Sequence, residues 1–158
     1  MKNRLKLGLN KSDIDKPYNV GYIAGVFDLF HIGHLNMFKR AKEQCRYLIV
    51  GVVSDEGVRL NKQAEPFVPF DERIEMVRSC KYVDEAIKLP LDFCGTRDMF
   101  KIYHFDVQFS GSDYEHDPAW LAEKEFLEKN GSTMVFFPYT QSTSSTKLKK
   151  AIENRINN

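Results

Sequence analysis

The sequence predicts an α/β protein built on one open parallel sheet, doubly wound, with helices on both faces. Three observations lead there. Short apolar runs alternate with segments of helical spacing along the whole chain. The run Tyr47 to Val53 (Tyr, Leu, Ile, Val, Gly, Val, Val) is apolar without alternation, the pattern of a parallel strand buried on both faces. At 158 residues, with 42% hydrophobic and 13% aromatic content, the chain can bury one core and has little room for a second. A single domain is expected over 19–158, preceded by a polar arm over 1–18 rich in Lys, Asn and Asp.

Val20 to Ala24 suits a buried first strand. It reaches Gly25 and turns; Leu35, Phe38, Ala41 and Cys45 then recur at helical spacing, with Lys39, Arg40, Lys42 and Glu43 between them. Tyr47 to Val53 follows as the second strand, ended by Ser54, Asp55, Glu56 and Gly57. Residues 57–69 lack periodicity and contain Asn61, Lys62, Gln63, Pro66 and Pro69, so they read as a loop longer than a connection needs, a candidate lid. Phe70 to Cys80 carries Ile74, Val77 and Cys80 at helical spacing, with Asp71 and Glu72 where the helix dipole favours acids.

Val83 to Leu89 is a more polar strand suited to a sheet edge, ended by Pro90. A helix is expected from about Thr96 to Phe105, a short strand at Val107 to Ser110, an amphipathic helix over Trp120 to Lys129 and a last strand over Thr133 to Phe137. Thr143 to Ile156 closes the chain as a helix, with Ser144 or Ser145 suited to the N-cap. This alternation predicts a Rossmann-like layer sandwich with its ligand at the carboxyl ends of the strands, near the switch point.

The formal charge is +1, from 23 Lys and Arg against 22 Asp and Glu, so no global field favours nucleic acid or an anionic membrane. Any phosphate binding must be local. The three cysteines, Cys45, Cys80 and Cys94, show neither metal-site spacing nor an even count. No run approaches transmembrane length and the first residues lack a signal-peptide pattern, so membrane insertion is not expected and the reducing cytoplasm is the expected compartment.

Chemistry concentrates in Gly25 to His34, Gly-Val-Phe-Asp-Leu-Phe-His-Ile-Gly-His. A strand runs through a glycine directly into a helix, whose first turn leaves N–H groups unpaired and attracts anions. His31 and His34, three residues apart, share one face of that turn, and Gly33 removes a side chain where a ligand would meet Cβ atoms. Gln141 to Lys147, a hydroxyl cluster at a helix start, fits ordinary N-capping as well as a second anion cradle.

The first of these stretches resembles the nucleotidyltransferase superfamily. It is similar in particular to the cytidylyltransferases that make CDP-alcohols from CTP and an alcohol phosphate, and the length and layout resemble glycerol-3-phosphate cytidylyltransferases. The resemblance implies nucleotide contacts from Gly25, Val26, Phe27, Asp28, His31 and His34, with Asp28 supporting the turn, and from the Gly111 and Asp113 turn near the base. Ser112 departs from an acidic residue often found there. Thr140, Ser144, Ser145 and Thr146 match an Arg-Thr-x-Gly-Ile-Ser-Thr-Thr-like signature, whereas its arginine falls on Tyr139, its glycine on Ser142 and its isoleucine on Thr143. Lys147 and Arg73 are the candidate replacements for the missing arginine, Arg73 matching a family Glu-Arg pair after the lid. Asp55 matches a family aspartate after the second strand.

Lys62, by itself a solvated loop lysine, aligns with a family lysine that reaches the phosphates of CTP or acceptor. Arg97, at the opening of a helix, is equally a surface arginine or a contact for the acceptor's phosphate. His104 reads as structural and His116 as a solvated loop histidine. The implied reaction has His31, His34 and Lys62 as catalytic residues, with Mg²⁺ carried mainly on the CTP phosphates and no metal site of the protein's own. A homodimer and a role in supplying an activated alcohol for a surface polymer or lipid are also implied. Phosphocholine, phosphoethanolamine and other polyol phosphates are alternative acceptors, an adenylyltransferase of the same fold is an alternative enzyme, and a nucleotide-sensing domain is the non-enzymatic alternative. The His-Ile-Gly-His tetrapeptide also resembles class I aminoacyl-tRNA synthetases, but the length leaves no space for their further modules and no Lys-Met-Ser-Lys-Ser-like motif is present.

Overall fold

Five strands form one parallel sheet in the order β3-β2-β1-β4-β5: β1 Tyr18–Gly25, β2 Cys45–Val53, β3 Glu85–Leu89, β4 Val107–Gly111 and β5 Thr133–Phe137. The computed structural model describes residues 11–91, 95–140 and 142–158. β1 pairs with β2 on one side (Gly25 opposite Val52) and with β4 on the other (Tyr22 opposite Gln108), so the strand order reverses between β1 and β4. In open α/β sheets the crevice at the carboxyl ends beside such a reversal is where ligands bind.

The helices are α1 Ile32–Gln44, α2 Asp55–Lys62, α3 Phe70–Arg78, α4 Thr96–Tyr103, α5 Pro118–Lys129 and α6 Ser145–Ile156. Successive strand residues point to opposite faces, and both faces are buried. Ile23, Val50 and Phe109 pack with Phe38 of α1 and Val77 of α3. Tyr22 and Ile49 face the other way, toward Met99 of α4, Phe105 and Leu127 of α5. The doubly wound sandwich read from the sequence is the architecture observed, and β3 is the edge strand expected. Among the described residues no helix is long and apolar enough to cross a membrane.

The structure corrects several boundaries. Residues 57–69 are not one long loop. Ser54 caps a helix by accepting the Gly57 N–H at 3.1 Å, Asp55 and Glu56 occupy its first turn, and Val58 is buried beneath it. Acids placed after a capping serine favour a helix start, and here that outweighs a glycine in the first turn. Lys62 is therefore the last residue of α2 rather than a loop residue, and the irregular connection shrinks to 63–69. β2 begins at Cys45, which also caps the end of α1, so no loop separates the two. Ser144 is the N-cap of α6, accepting the Lys147 N–H, which frees the Ser145 hydroxyl for another partner.

Most of the polar arm lies outside the described residues. Its end is tied down: Lys11–Asp13 forms a 3₁₀ turn, and the Arg46 guanidinium donates to the carbonyls of Asp13 and Ile14 at 2.8 and 3.0 Å.

Candidate active site

The chain leaves β1 through a turn that bulky L-residues adopt reluctantly. Phe27 and Leu29 both sit at positive φ, 56° and 49°. Asp28, between them and 2% exposed, holds the turn. One carboxylate oxygen accepts the N–H groups of Leu29 (3.1 Å) and Val68 (3.0 Å). The other accepts the Phe67 N–H (2.8 Å) and pairs with Lys149 Nζ of α6 at 3.2 Å. Burial opposes ionisation of Asp28, but the Phe67 and Val68 N–H groups and the Lys149 ammonium together hold its pKa below the usual carboxylate range. Asp28 thus pins the connection before α3 and the start of α6 to the turn.

α1 opens with a reciprocal cap. The His31 Nδ1 accepts the Gly33 N–H at 3.0 Å, and the His34 Nδ1 accepts the His31 N–H at 3.3 Å. The two rings stack with centroids 3.9 Å apart and planes 29° from parallel. A Cβ on Gly33 would lie 2.7 Å from His31 Cε1, so this position admits glycine alone without moving the ring.

Hydrogen bonding also fixes the tautomers. The Ser145 hydroxyl donates to the Asp28 carbonyl at 2.8 Å, which uses its one proton. The His31 Nε2, 3.3 Å from the same hydroxyl, must therefore be the donor, in agreement with an Nδ1 that accepts. Burial pushes the pKa of His31 down; that of His34 falls to about 3, from burial first and the charge of His31 second, with Asp28 opposing. At neutral pH both imidazoles are uncharged, each with its proton on Nε2.

These rings line a cavity of about 290 Å³ at the carboxyl ends of β1, β4 and β5. α1 and α6, of 13 and 12 residues, both begin there, so two helix N-termini converge on one space. Gly111, Asp113, Thr140, Ser144, Ser145 and Thr146 line it too, so the two sequence-distant motifs meet. Asn36 of α1 donates to Thr140 Oγ1 at 3.4 Å across the join.

The remaining predicted site residues lie elsewhere. Phe27 turns its ring into the core against Phe38 and the edge of His34, and does not line the histidine cavity. Gly25 and Val26 line a neighbouring cavity together with Lys62 and Arg97. Arg97 does not stand free at the start of α4: its guanidinium pairs with Glu123 at 3.0 Å and lies over the Phe126 ring.

Arg73 does not replace the signature arginine. Only 1% exposed, it donates to the carbonyls of Val26, Val53 and Val68 and to Asp55 (2.7 Å), joining the ends of β1 and β2 to α3. Asp55 also caps α3 by accepting the Phe70 N–H. His104 closes α4 in the left-handed region, a structural role.

The cation missed by sequence reasoning is Arg40, one of the polar residues spaced between the apolar positions of α1. It lines the histidine cavity and donates to the Pro138 carbonyl at 3.0 Å, one residue before Tyr139. The spacing Gly33, Met37, Arg40 puts all three on one helix face, and that was the available signal. Among the described lining residues Arg40 is the permanent cation.

A doubly wound sheet with stacked neutral imidazoles between two helix N-termini at its switch point defines a nucleotide-handling α/β protein. The chain belongs to the cytidylyltransferase-like family, whose model matches residues 22–151. It is similar to a FAD synthase of Thermococcus kodakarensis, 37% identical over 85% of this chain and 89% of that protein. An ethanolamine-phosphate cytidylyltransferase of Dictyostelium discoideum is 41% identical over 85% of this chain but only 38% of that longer protein. A glycerol-3-phosphate cytidylyltransferase of Bacillus subtilis is 32% identical over 81% and 92%. Among solved structures, a lipopolysaccharide core biosynthesis protein of Thermoplasma volcanium superposes with a TM-score of 0.63 and 25% identity, covering 80% of this chain and 99% of that one.

Proposed function

We propose that the chain transfers CMP from CTP to an alcohol phosphate, forming a CDP-alcohol and pyrophosphate, with glycerol phosphate the leading acceptor. The observation that carries this reading is the pair of neutral, Nε2-protonated imidazoles held between the N-termini of α1 and α6. A phosphate monoester is already an oxyanion, so the reaction needs positioning and charge neutralisation rather than a strong base. Its oxygen attacks the α-phosphorus, and the bond to the β-phosphate oxygen breaks. His31 and His34 donate from Nε2 to the α-phosphate and the bridging oxygen as charge builds there. For His31 a phosphate oxygen replaces a weak 3.3 Å contact to Ser145. Arg40 supplies the fixed charge the signature arginine supplies in relatives, and Lys62 draws in the acceptor.

Among the described residues no group of three or more His, Cys, Asp or Glu could hold a metal, and the cavity offers the single carboxylate of Asp113. That donor set fits an Mg²⁺ held mainly by nucleotide phosphates and water, where it would neutralise the leaving pyrophosphate. A second reading, adenylyl transfer from ATP with flavin mononucleotide as acceptor, is favoured by the similarity to a FAD synthase.

The test is pyrophosphate release by the purified protein with Mg²⁺, crossing CTP, ATP, UTP and GTP with a panel of phosphates and identifying products by mass. Release with CTP and an alcohol phosphate supports the proposal. Release with ATP and flavin mononucleotide moves it to the second reading. Nucleotide binding without release from any pair defeats both.

A further inference from the structure

Beside the histidine cavity lies a larger one, of about 660 Å³, and Tyr114 lines both. Its cations come from helix α2 (Lys62) and helix α4 (Arg97 and Lys101), and Gln108 lines it from the middle of the sheet. Gln108 sits on β4 opposite Tyr22 of β1 and is 2% exposed. Among the described residues its amide oxygen Oε1 is buried without a hydrogen-bond partner. Native proteins rarely leave a buried carbonyl unpaired, and each such group calls for an explanation, a partner supplied from outside the chain being one. A leucine of similar size would fill the space without that cost.

We propose that Gln108 determines acceptor specificity: its amide oxygen takes a hydrogen bond from a hydroxyl or N–H on the end of the acceptor remote from the phosphate. This rests on the reading of the protein as a nucleotidyltransferase. The acceptor's phosphate lies toward Lys62 and Lys101, because Arg97 is already paired with Glu123. The cavity is also larger than glycerol phosphate requires, its volume falling in the range of roughly 300–1,000 Å³ that holds drug-sized ligands. A quaternary ammonium fits poorly. It has no proton to offer Gln108, and Tyr114 and Trp120 stack on each other at 4.4 Å, each covering a face of the other's ring. The shared chemistry of the acceptor is thus a phosphate monoester with a hydrogen-bond donor at its far end, whether polyol, primary amine or flavin.

The experiment compares wild type with Gln108→Leu and Gln108→Met. The acceptors are glycerol 3-phosphate, a five-carbon polyol phosphate, phosphoethanolamine, flavin mononucleotide and, as the control lacking a donor, phosphocholine. A site built to bond a hydroxyl or N–H discriminates strongly, so kcat/KM for the preferred acceptor should fall about 50-fold or more in both variants, with KM for the nucleotide unchanged. Phosphocholine, poor with wild type, should change by less than about threefold. Both variants should melt at or above the wild-type temperature, since no hydrogen bond is lost.

Acceptor kinetics unchanged in the variants, a parallel loss for nucleotide and acceptor, a lowered melting temperature in both variants, or a wild-type preference for phosphocholine would each overturn the proposal. If wild type turns over no pair, the functional reading fails by itself. Calorimetric binding of the same phosphates then decides: weaker binding of donor-bearing compounds to both variants upholds the role of Gln108, and equal or absent binding overturns it.

Discussion

Lowering the pH from 7 to 5 should destabilise the protein through His34, and the size of the effect follows from its burial. The His34 pKa lies at about 3 in the fold against an ordinary 6.5, so between those values the unfolded chain binds a proton that the native state does not. Stability therefore falls as pH falls through 6.5 and goes on falling toward 3. At pH 5 the unfolded state gains RT ln(1 + 10^1.5), about 2 kcal/mol, against under about 0.2 kcal/mol at pH 7. For a chain of this length that is a drop of roughly 4–8 °C in Tm. Asp28 and Asp55, whose pKa values are lowered below 3.8, lose their contributions at still lower pH and stay out of this window. The assay is urea denaturation at both pH values for wild type and His34→Asn, whose amide oxygen can still accept the His31 N–H. The difference between pH 7 and pH 5 should shrink by about 2 kcal/mol in the variant. If the variant loses as much stability as wild type, His34 is not a buried neutral imidazole and the tautomer argument collapses with it.

Other expectations come from single residues. Gly33→Ala drives a Cβ to within 2.7 Å of the His31 ring; displacing that ring should lower kcat about 10- to 100-fold with the fold intact, and unchanged turnover would show that ring placement does not matter. Arg73→Met strips four hydrogen bonds from the junction of β1, β2 and α3 and should cost about 3–5 kcal/mol in urea denaturation; a loss of nucleotide affinity at full stability would make it a ligand residue after all. Arg40→Met should raise the KM for nucleotide about tenfold or more at nearly unchanged stability, because its bond to the Pro138 carbonyl is solvent-exposed; an unaltered KM would remove it from the phosphate site. Asp28→Asn leaves Lys149 unpaired and weakens the grip on the Phe67 and Val68 N–H groups, an expected loss of about 2 kcal/mol; a neutral result would leave the turn's two positive-φ residues without a support.

Sheet and helices were legible because hydrophobic runs and helical spacing report burial directly, and both faces of this sheet are buried. β2 shows this most plainly, its unbroken apolar run lying centrally between β1 and β3. The start of α1 was legible for a second reason: His-Ile-Gly-His concentrates donors, spacing and a missing Cβ in four residues. α2 was lost because its amphipathic signal is short, and Ser54, Asp55 and Glu56 stop a strand as readily as they start a helix. The positions of Arg73 and Arg40 have a reason no local pattern carries. Which arginine is buried under a sheet end and which lines a cavity depends on where distant strands finish. Gln108 was equally hidden, since one polar residue in a short strand says nothing of its pairing until β1 and β4 are side by side.

The measurement closest to the central claim is single-turnover pyrophosphate release with the best nucleotide and acceptor pair, comparing wild type, His31→Ala and His34→Ala. If the stacked pair stabilises charge on the transferring phosphate, each variant loses orders of magnitude in the chemical step while retaining its native circular dichroism spectrum. Near-native release by both variants would contradict the account and place the chemistry outside the cavity between α1 and α6.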